Sequence, residues 1–347
     1  MANHHPKVIV ERNVPFLEAL ADVADVQYLP YGDITADAVS MADALVVRTR
    51  NRCDASLLAG SRVSFIATAT IGTDHIDLPW CEANGIEVAN APGSNAPGVA
   101  QYVFSSLARV VNRPLGSYRL GIVGVGHVGS LVERWARELG MKVMLCDPPR
   151  QRAEGDEEWC SLADIAREAD IITFHTPLTK DGPDATYHLA DQAFFNSLRR
   201  APIIVNSARG AVVDNEAWVE ALKAGQCGKA IVDCWEGEPD INRQLLALAS
   251  IATPHIAGYS FEGKQRASQM ALDALCRHFG LPALTVSGPR PMAPARSITV
   301  ASALKGYNPE DDTAALRAAF AADGPVAFET LRNSYSLRHE LPETRNN

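Results

Sequence analysis

Leu120-Gly121-Ile122-Val123-Gly124-Val125-Gly126-His127-Val128-Gly129 is the stretch whose reading decides the fold. An apolar strand runs directly into a G-x-G-x-x-G loop, and helix-forming residues follow from about Leu131 to Leu139. Gly124 allows the tight turn, Gly126 lets the backbone approach a pyrophosphate, and Gly129 lets the helix pack on the strand. The helix N-terminus offers unpaired N–H groups and a partial positive charge to that pyrophosphate. Asp147 ends the next strand, eighteen residues after Gly129. A carboxylate there accepts hydrogen bonds from ribose hydroxyls and repels a 2′-phosphate, which selects NAD over NADP. Arg150 and Arg152 stand close enough in sequence to soften that preference. The expected cofactor is NAD, held by Gly124, Gly126, Val128, Gly129 and Asp147.

Working outward, short apolar runs alternate with helical stretches on both sides of this loop. Residues 7–11, 26–30, 44–49, 64–70 and 86–91 read as strands, each rich in Val, Ile or Ala and bounded by Gly, Pro, Asp or Asn. A helix over about 96–111 follows Ala91-Pro92-Gly93-Ser94-Asn95 and carries the chain into a second domain. There the strands read 119–123, 142–147, 170–175, 202–206, 230–233 and 251–253. Continuous apolar strands separated by helices imply parallel sheets covered on both faces. The fold class is therefore α/β. A flavodoxin-like substrate domain spans 1–94 and 265–282, and a doubly wound Rossmann NAD-binding domain spans 95–264. A helix over about 261–278 returns the chain to the first domain. From Pro282 onward the alternation stops, with helical signals only near 311–322, so 283–347 is expected to be a small C-terminal dimerisation segment. Residues 342–347 are polar and read as a frayed end.

The 347 residues are 47% hydrophobic and 21% charged, enough for two domains with sizeable cores. A net charge of −9 argues against a nucleic-acid partner and requires a local basic cluster for any anionic substrate. None of the seven cysteines forms a C-x-x-C pair, as expected of buried thiols in a reducing cytoplasm. The N-terminus has no apolar signal core, and no uninterrupted apolar run is long enough to span a membrane. No metal site is expected.

Ligands of open parallel sheets bind at the carboxyl ends of strands. That rule picks out His175 and Thr176, Arg209 after Asn206-Ser207-Ala208, Asp233, Glu238 in Trp235-Glu236-Gly237-Glu238-Pro239, and His255 in Thr253-Pro254-His255-Ile256-Ala257-Gly258. Oxidising an alcohol needs a hydride acceptor and a base for the hydroxyl proton. Imidazole suits the base because its reference pKa of about 6.5 lies near operating pH. A neighbouring carboxylate orients the ring, and an arginine clamps a substrate carboxylate with two parallel hydrogen bonds. Val47-Arg48-Thr49-Arg50-Asn51-Arg52 follows a first-domain strand, and Arg48, with Arg50 or Arg52, is expected to face a phosphate; the alternative is a solvated basic loop. The backbone of Thr70-Ile71-Gly72-Thr73-Asp74-His75 is expected to receive the substrate carboxylate, with His75 structural and holding Asp77.

These stretches, together with Val232-Asp233-Cys234, resemble the D-isomer-specific 2-hydroxyacid dehydrogenases over roughly residues 5–280. The resemblance implies His255 as acid/base, Glu238 as its partner, Arg209 as carboxylate anchor, and Asp233 on the nicotinamide side of the cofactor. It also implies Thr49, Thr70 and Tyr259 as substrate contacts and Thr176 and Gly258 as cofactor contacts. Phe174-His175-Thr176-Pro177-Leu178-Thr179-Lys180-Asp181-Gly182-Pro183 and His255-Ile256-Ala257-Gly258-Tyr259-Ser260-Phe261-Glu262-Gly263-Lys264 narrow the match to members acting on a small phosphorylated 2-hydroxy acid of four carbons, which are homodimers. A 3-phosphoglycerate or glyoxylate-type dehydrogenase and a non-catalytic NAD sensor remain the alternatives.

Overall fold

The computed structural model describes residues 5–155, 158–289, 293 and 295–341; the polar end at 342–347 lies outside them. The chain forms two compact units, Met1–Asn95 with Phe261–Met292 and Ala96–Ser260 with Ala293–Asn347.

The first unit is a five-stranded parallel sheet of β1 (Lys7–Glu11), β2 (Asp25–Leu29), β3 (Ala44–Val47), β4 (Phe65–Thr68) and β5 (Glu87–Ala89), in the order β2-β1-β3-β4-β5. Every residue of β3 and β4 is buried, as the continuous apolar runs require of strands covered on both faces. The order is that of flavodoxin-like sheets.

The second unit carries six parallel strands: β6 (Arg119–Val123), β7 (Lys142–Cys146), β8 (Ile171–Phe174), β9 (Ile203–Asn206), β10 (Lys229–Val232) and β11 (Ile251–Ala252). Their order is β11-β10-β9-β8-β6-β7. The direction of winding reverses between β6 and β8, and the crevice at such a reversal is where ligands bind in open α/β sheets. Helices α1 (Ala96–Val110) and α2 (His127–Glu138) pack with this sheet, and α3 (Phe261–Phe279) belongs to the first unit. Tyr102, Phe104, Trp135, Phe174, Phe195 and Trp218 are fully buried around the sheet.

The C-terminal residues hold three helices, α4 (Val300–Gly306), α5 (Pro309–Asp323) and α6 (Pro325–Asn333), all within the second unit. Ser105 Oγ of α1 donates to Ala303 O at 2.8 Å. Leu316, Phe320 and Phe328 join the same core as Trp218 and Leu245. Thr313 Oγ1 accepts the N–H of Ala252 at 3.0 Å, so α5 covers the open edge of β11. No described helix is long and apolar enough to cross a membrane.

Candidate active site

β6 delivers the chain to Gly124, which turns with φ +87°. A Cβ on Gly124 would stand 2.8 Å from the backbone of His175 and Thr176, which follow β8. One on Gly129 would collide with Gly124 O, whereas one on Gly126 would meet nothing within 4 Å. The loop is thus closed against β8 at Gly124, closed against itself at Gly129, and open at Gly126 at the start of α2. That is the shape a pyrophosphate needs. Thr176 Oγ1 and Ser207 Oγ, beyond β8 and β9, are buried with no hydrogen-bond partner among the described residues.

Asp147 accepts Val125 N–H at 2.8 Å and Arg150 N–H at 3.1 Å. It therefore fixes the glycine loop and caps the following helix, while each oxygen keeps a lone pair for a ribose hydroxyl. Arg150 is paired with Glu154 and Arg152 with Asp184, so neither brings an uncompensated charge to a 2′-phosphate. His175 Nε2 lies 3.0 Å from Thr173 Oγ1, and burial lowers the ring to about 3, which leaves it neutral. It orients and does not exchange protons near neutral pH.

The catalytic candidates stand on the ends of β9, β10 and β11. Asn206 at the end of β9 donates to Arg209 O at 2.9 Å and accepts Ala208 N–H at 3.2 Å, which shapes the turn carrying Arg209. A Cβ on Gly210 would overlap Trp235 O, so this turn packs directly on the loop after β10. In that loop Glu238 Oε1 accepts Trp235 N–H at 2.8 Å, and Trp235 Nε1 is tied to Thr253 O at 2.9 Å. The Trp is a strut for the carboxylate.

Glu238 Oε2 and Oε1 lie 2.8 and 3.1 Å from His255 Nδ1. This pairing places the neutral ring's proton on Nδ1 and leaves Nε2 to exchange a proton with substrate. Burial pushes the Glu238 carboxyl up, but the charge and hydrogen bond of His255, together with Arg332, outweigh it and hold the group below its usual range. His255 itself has φ +56°, a left-handed conformation that a non-glycine residue keeps only when its surroundings over-determine it. Asp233 supplies that constraint. Its O accepts His255 N–H at 2.9 Å, Oδ1 accepts Ile256 N–H at 2.8 Å and Thr253 Oγ1–H at 2.6 Å, and Oδ2 accepts Ala257 N–H at 3.0 Å. The strand-end rule found Asp233; its visible work is to anchor the His255 turn.

In the first unit, Thr49 is exposed after β3. Thr70 Oγ1 sits 2.6 Å from Thr68 Oγ1, and Asn90 Nδ2 donates to Ile71 O at 2.7 Å, fixing the loop after β4. The N–H groups of Ile71, Gly72 and Thr73 donate to no acceptor among the described residues. Arg48 already has a partner: its Nε and Nη2 grip the fully buried Glu11 at 2.9–3.1 Å, because β1 and β3 are neighbours and end side by side. Arg50 lies over the Tyr31 ring and Arg52 pairs with Asp54. One expectation is corrected here: His75 does not hold Asp77, which instead caps its own helix through Trp80 N–H; both ring nitrogens of His75 are buried without a partner among the described residues.

Residues 99–257 match the family model of the D-isomer specific 2-hydroxyacid dehydrogenase NAD binding domain. The chain is 47% identical over 342 residues to erythronate-4-phosphate dehydrogenase of Bacteroides thetaiotaomicron, covering 96% of this chain and 97% of the relative. The chain belongs to the erythronate-4-phosphate dehydrogenases. Among solved structures it is similar to D-lactate dehydrogenase of Aquifex aeolicus, complexed with NAD and lactic acid (TM-score 0.67, 25% identity, 79% of this chain and 96% of that one). It is also similar to NAD+-bound 3-phosphoglycerate dehydrogenase of Entamoeba histolytica (TM-score 0.68, 25% identity, 80% and 96%). This erythronate-4-phosphate dehydrogenase family member is an NAD-dependent 2-hydroxyacid dehydrogenase.

Sequence reasoning missed the part of the site that this family member draws from its C-terminal residues. Arg338 Nη1 donates to Ile256 O at 3.0 Å and Tyr259 O at 3.3 Å, and its Nη2 donates to Gly98 O at 3.0 Å and to Ala257 O. Ser260 Oγ donates to Glu340 Oε1 at 2.6 Å. The carbonyls on both sides of Gly258 are thereby held. Arg332 reaches Glu238 and hydrogen-bonds Tyr259. No local pattern marks either arginine, since both act on residues about seventy or more positions earlier. His188, Asp214 and Glu236 form the one cluster among the described residues with cation-ligand spacing; His188 Nε2 is already bonded to Glu236 at 2.7 Å, and Asp214 caps a helix.

Proposed function

We infer that the chain catalyses NAD-dependent oxidation of 4-phospho-D-erythronate to 2-oxo-3-hydroxy-4-phosphobutanoate, a step toward pyridoxal 5′-phosphate. The observation that carries this reading is the His255–Glu238 pair at 2.8 Å, packed against the Arg209 turn, in a chain of this family. Arg209 binds the substrate carboxylate. His255 Nε2 takes the C2 hydroxyl proton as the C2 hydride leaves. Glu238 stabilises the imidazolium that forms and keeps the ring in the required tautomer. Bound NAD supplies the hydride acceptor, and Gly124, Gly126, Val128, Gly129, Asp147, Thr176, Asp233 and Gly258 are its proposed contacts. Thr49, Thr70, Tyr259 and the Nη1 edge of Arg48 are the proposed substrate contacts.

The protein is proposed to act in the cytoplasm as a homodimer. Arg209 beside the Glu238–His255 pair favours an enzyme over a sensor. His255→Ala tests this: NADH formation is expected to vanish while NADH binding stays. Turnover surviving in His255→Ala would remove His255 from the reaction.

A further inference from the structure

Within the second unit, the last turn of α6 brings a cation to the acid/base pair. Arg332 Nη1 lies 3.7 Å from Glu238 Oε2, and the same oxygen is 2.8 Å from His255 Nδ1. One carboxylate therefore stands between two cations whenever the imidazole is protonated. The Arg332 and Glu238 side chains are only 19% and 17% exposed, so solvent and salt screen the pair weakly. The placement is built in. Phe328, one helical turn before Arg332, is fully buried, and Leu331 packs on the same core. Arg332 also hydrogen-bonds the Tyr259 side chain, while its buried Nε meets no acceptor among the described residues.

We propose that Arg332 is a positioning residue of the acid/base pair, whose fixed charge on the far side of the Glu238 carboxylate competes with the ring for that carboxylate and so sets the pH at which His255 accepts the substrate proton. The proposal rests on the reading of His255 as the acid/base. Within the unit, the other charged and titratable groups around the ring are Asp233 on the end of β10, Cys234 beside it, Arg209 after β9 and Tyr259 on the ring's own loop. Asp233 is spent on the backbone of the His255 turn. Burial and the neighbouring carboxylates hold the Cys234 thiol well above its ordinary range, so it stays neutral. Arg209 is taken up by the substrate carboxylate. Arg332 is then the cation that stays with the pair through the reaction.

The test compares full-length, NAD-loaded wild type with Arg332→Met, Arg332→Gln and Arg332→Lys. One readout is the pH profile of NADH formation from 4-phosphoerythronate. The other is the carbon NMR titration of the His255 ring, its signal identified by loss in His255→Asn. Losing the positive charge is expected to move both the acid limb and the ring titration upward by about 0.5–1 pH unit. Arg332→Lys is expected to return both most of the way. Gln keeps a polar partner for Tyr259 and serves if Met does not fold. A folded neutral variant with limb and titration unmoved overturns the proposal. So does a loss of affinity for the phosphorylated substrate with no pH shift, which would make Arg332 a substrate contact. If wild type oxidises no 2-hydroxy acid, the functional reading fails, and the ring titration still decides whether Arg332 governs His255.

Discussion

Replacing Glu238 by glutamine changes one atom's chemistry and leaves the shape intact, so its consequences can be worked from the contacts. Oε1 accepts Trp235 N–H at 2.8 Å, and Oε2 accepts from His255 Nδ1 at 2.8 Å with Arg332 at 3.7 Å. A carboxylate serves all three; an amide cannot. If the amide oxygen faces Trp235, its NH2 faces Nδ1, and the imidazole proton must move to Nε2, the tautomer that cannot accept a proton from substrate. If the oxygen faces Nδ1, the NH2 meets Trp235 N–H donor to donor. Either arrangement also removes the charge that stabilises the imidazolium. A hydrogen bond to a charged group contributes about 1.5–3 kcal/mol, and at 1.36 kcal/mol per unit this lowers the acid limb of the pH profile by about 1–2 units. The same energy, lost from the transition state where the imidazolium forms, lowers kcat by about 10–150-fold, with the tautomer penalty added. The assay is NADH formation against pH, with NADH binding measured by fluorescence on the same protein. Arg332→Met moves the limb up and Glu238→Gln moves it down. A folded Glu238→Gln enzyme that binds NADH, keeps kcat within about threefold and leaves the limb in place would refute the assignment of this pair.

Three further outcomes follow from the same geometry. Gly129→Ala sets a methyl against Gly124 O, so the glycine loop must open; NADH affinity is expected to fall at least about tenfold, or ~1.4 kcal/mol, and a fluorescence titration showing wild-type affinity would contradict the loop's role. Arg48→Ala strands the buried Glu11 carboxylate and is expected to cost about 3–5 kcal/mol in chemical denaturation, with Glu11→Leu/Arg48→Met restoring most of it; a neutral effect would show that the pair is not what Arg48 is for. Burial, slightly opposed by Asp74 and Glu11, lowers His75 to about 4, and burial lowers His175 to about 3, so the unfolded chain binds more protons than the native one below about pH 6.5. Stability is present above that pH and is lost as pH falls toward 4 and 3, by about 2 kcal/mol per ring at about pH 5; a Tm that stays flat between about pH 7.5 and 5 would contradict the neutral, buried rings.

The eleven strands were legible because each is a short run rich in Val, Ile, Leu or Ala, buried throughout in the sheet centres and only partly in β2, β5 and β7, and the structure shifts their ends by only a few residues. The glycine loop was legible because its spacing between an apolar strand and a helix is a local pattern, although Gly124 is closed against the distant end of β8 and Gly126 meets nothing within 4 Å. What the sequence hid was long-range. Arg48 faces Glu11 only because β1 and β3 are neighbours, which no local pattern encodes. Asp233 was found by its position at a strand end, but its grip on Ile256 and Ala257 depends on where β11 releases the chain. Helix α6 went unread because it is nine residues long, with only Ala327, Phe328 and Leu331 turned to the core and the apolar Val326 left exposed. Missing α6 meant missing Arg332. Arg338 lies in irregular backbone after it and is defined by the carbonyls it clamps, not by its neighbours in sequence.

The central claim is that this chain oxidises a phosphorylated four-carbon 2-hydroxy acid, and NADH formation tests it most directly. The measurement sets 4-phosphoerythronate beside 3-phosphoglycerate on the same preparation, with 2-oxoglutarate added in parallel to reoxidise any tightly held NADH. A strong preference in kcat/KM for the four-carbon acid is expected. Equal or better turnover of the three-carbon acid, or none of either by a protein that binds NADH, would contradict it.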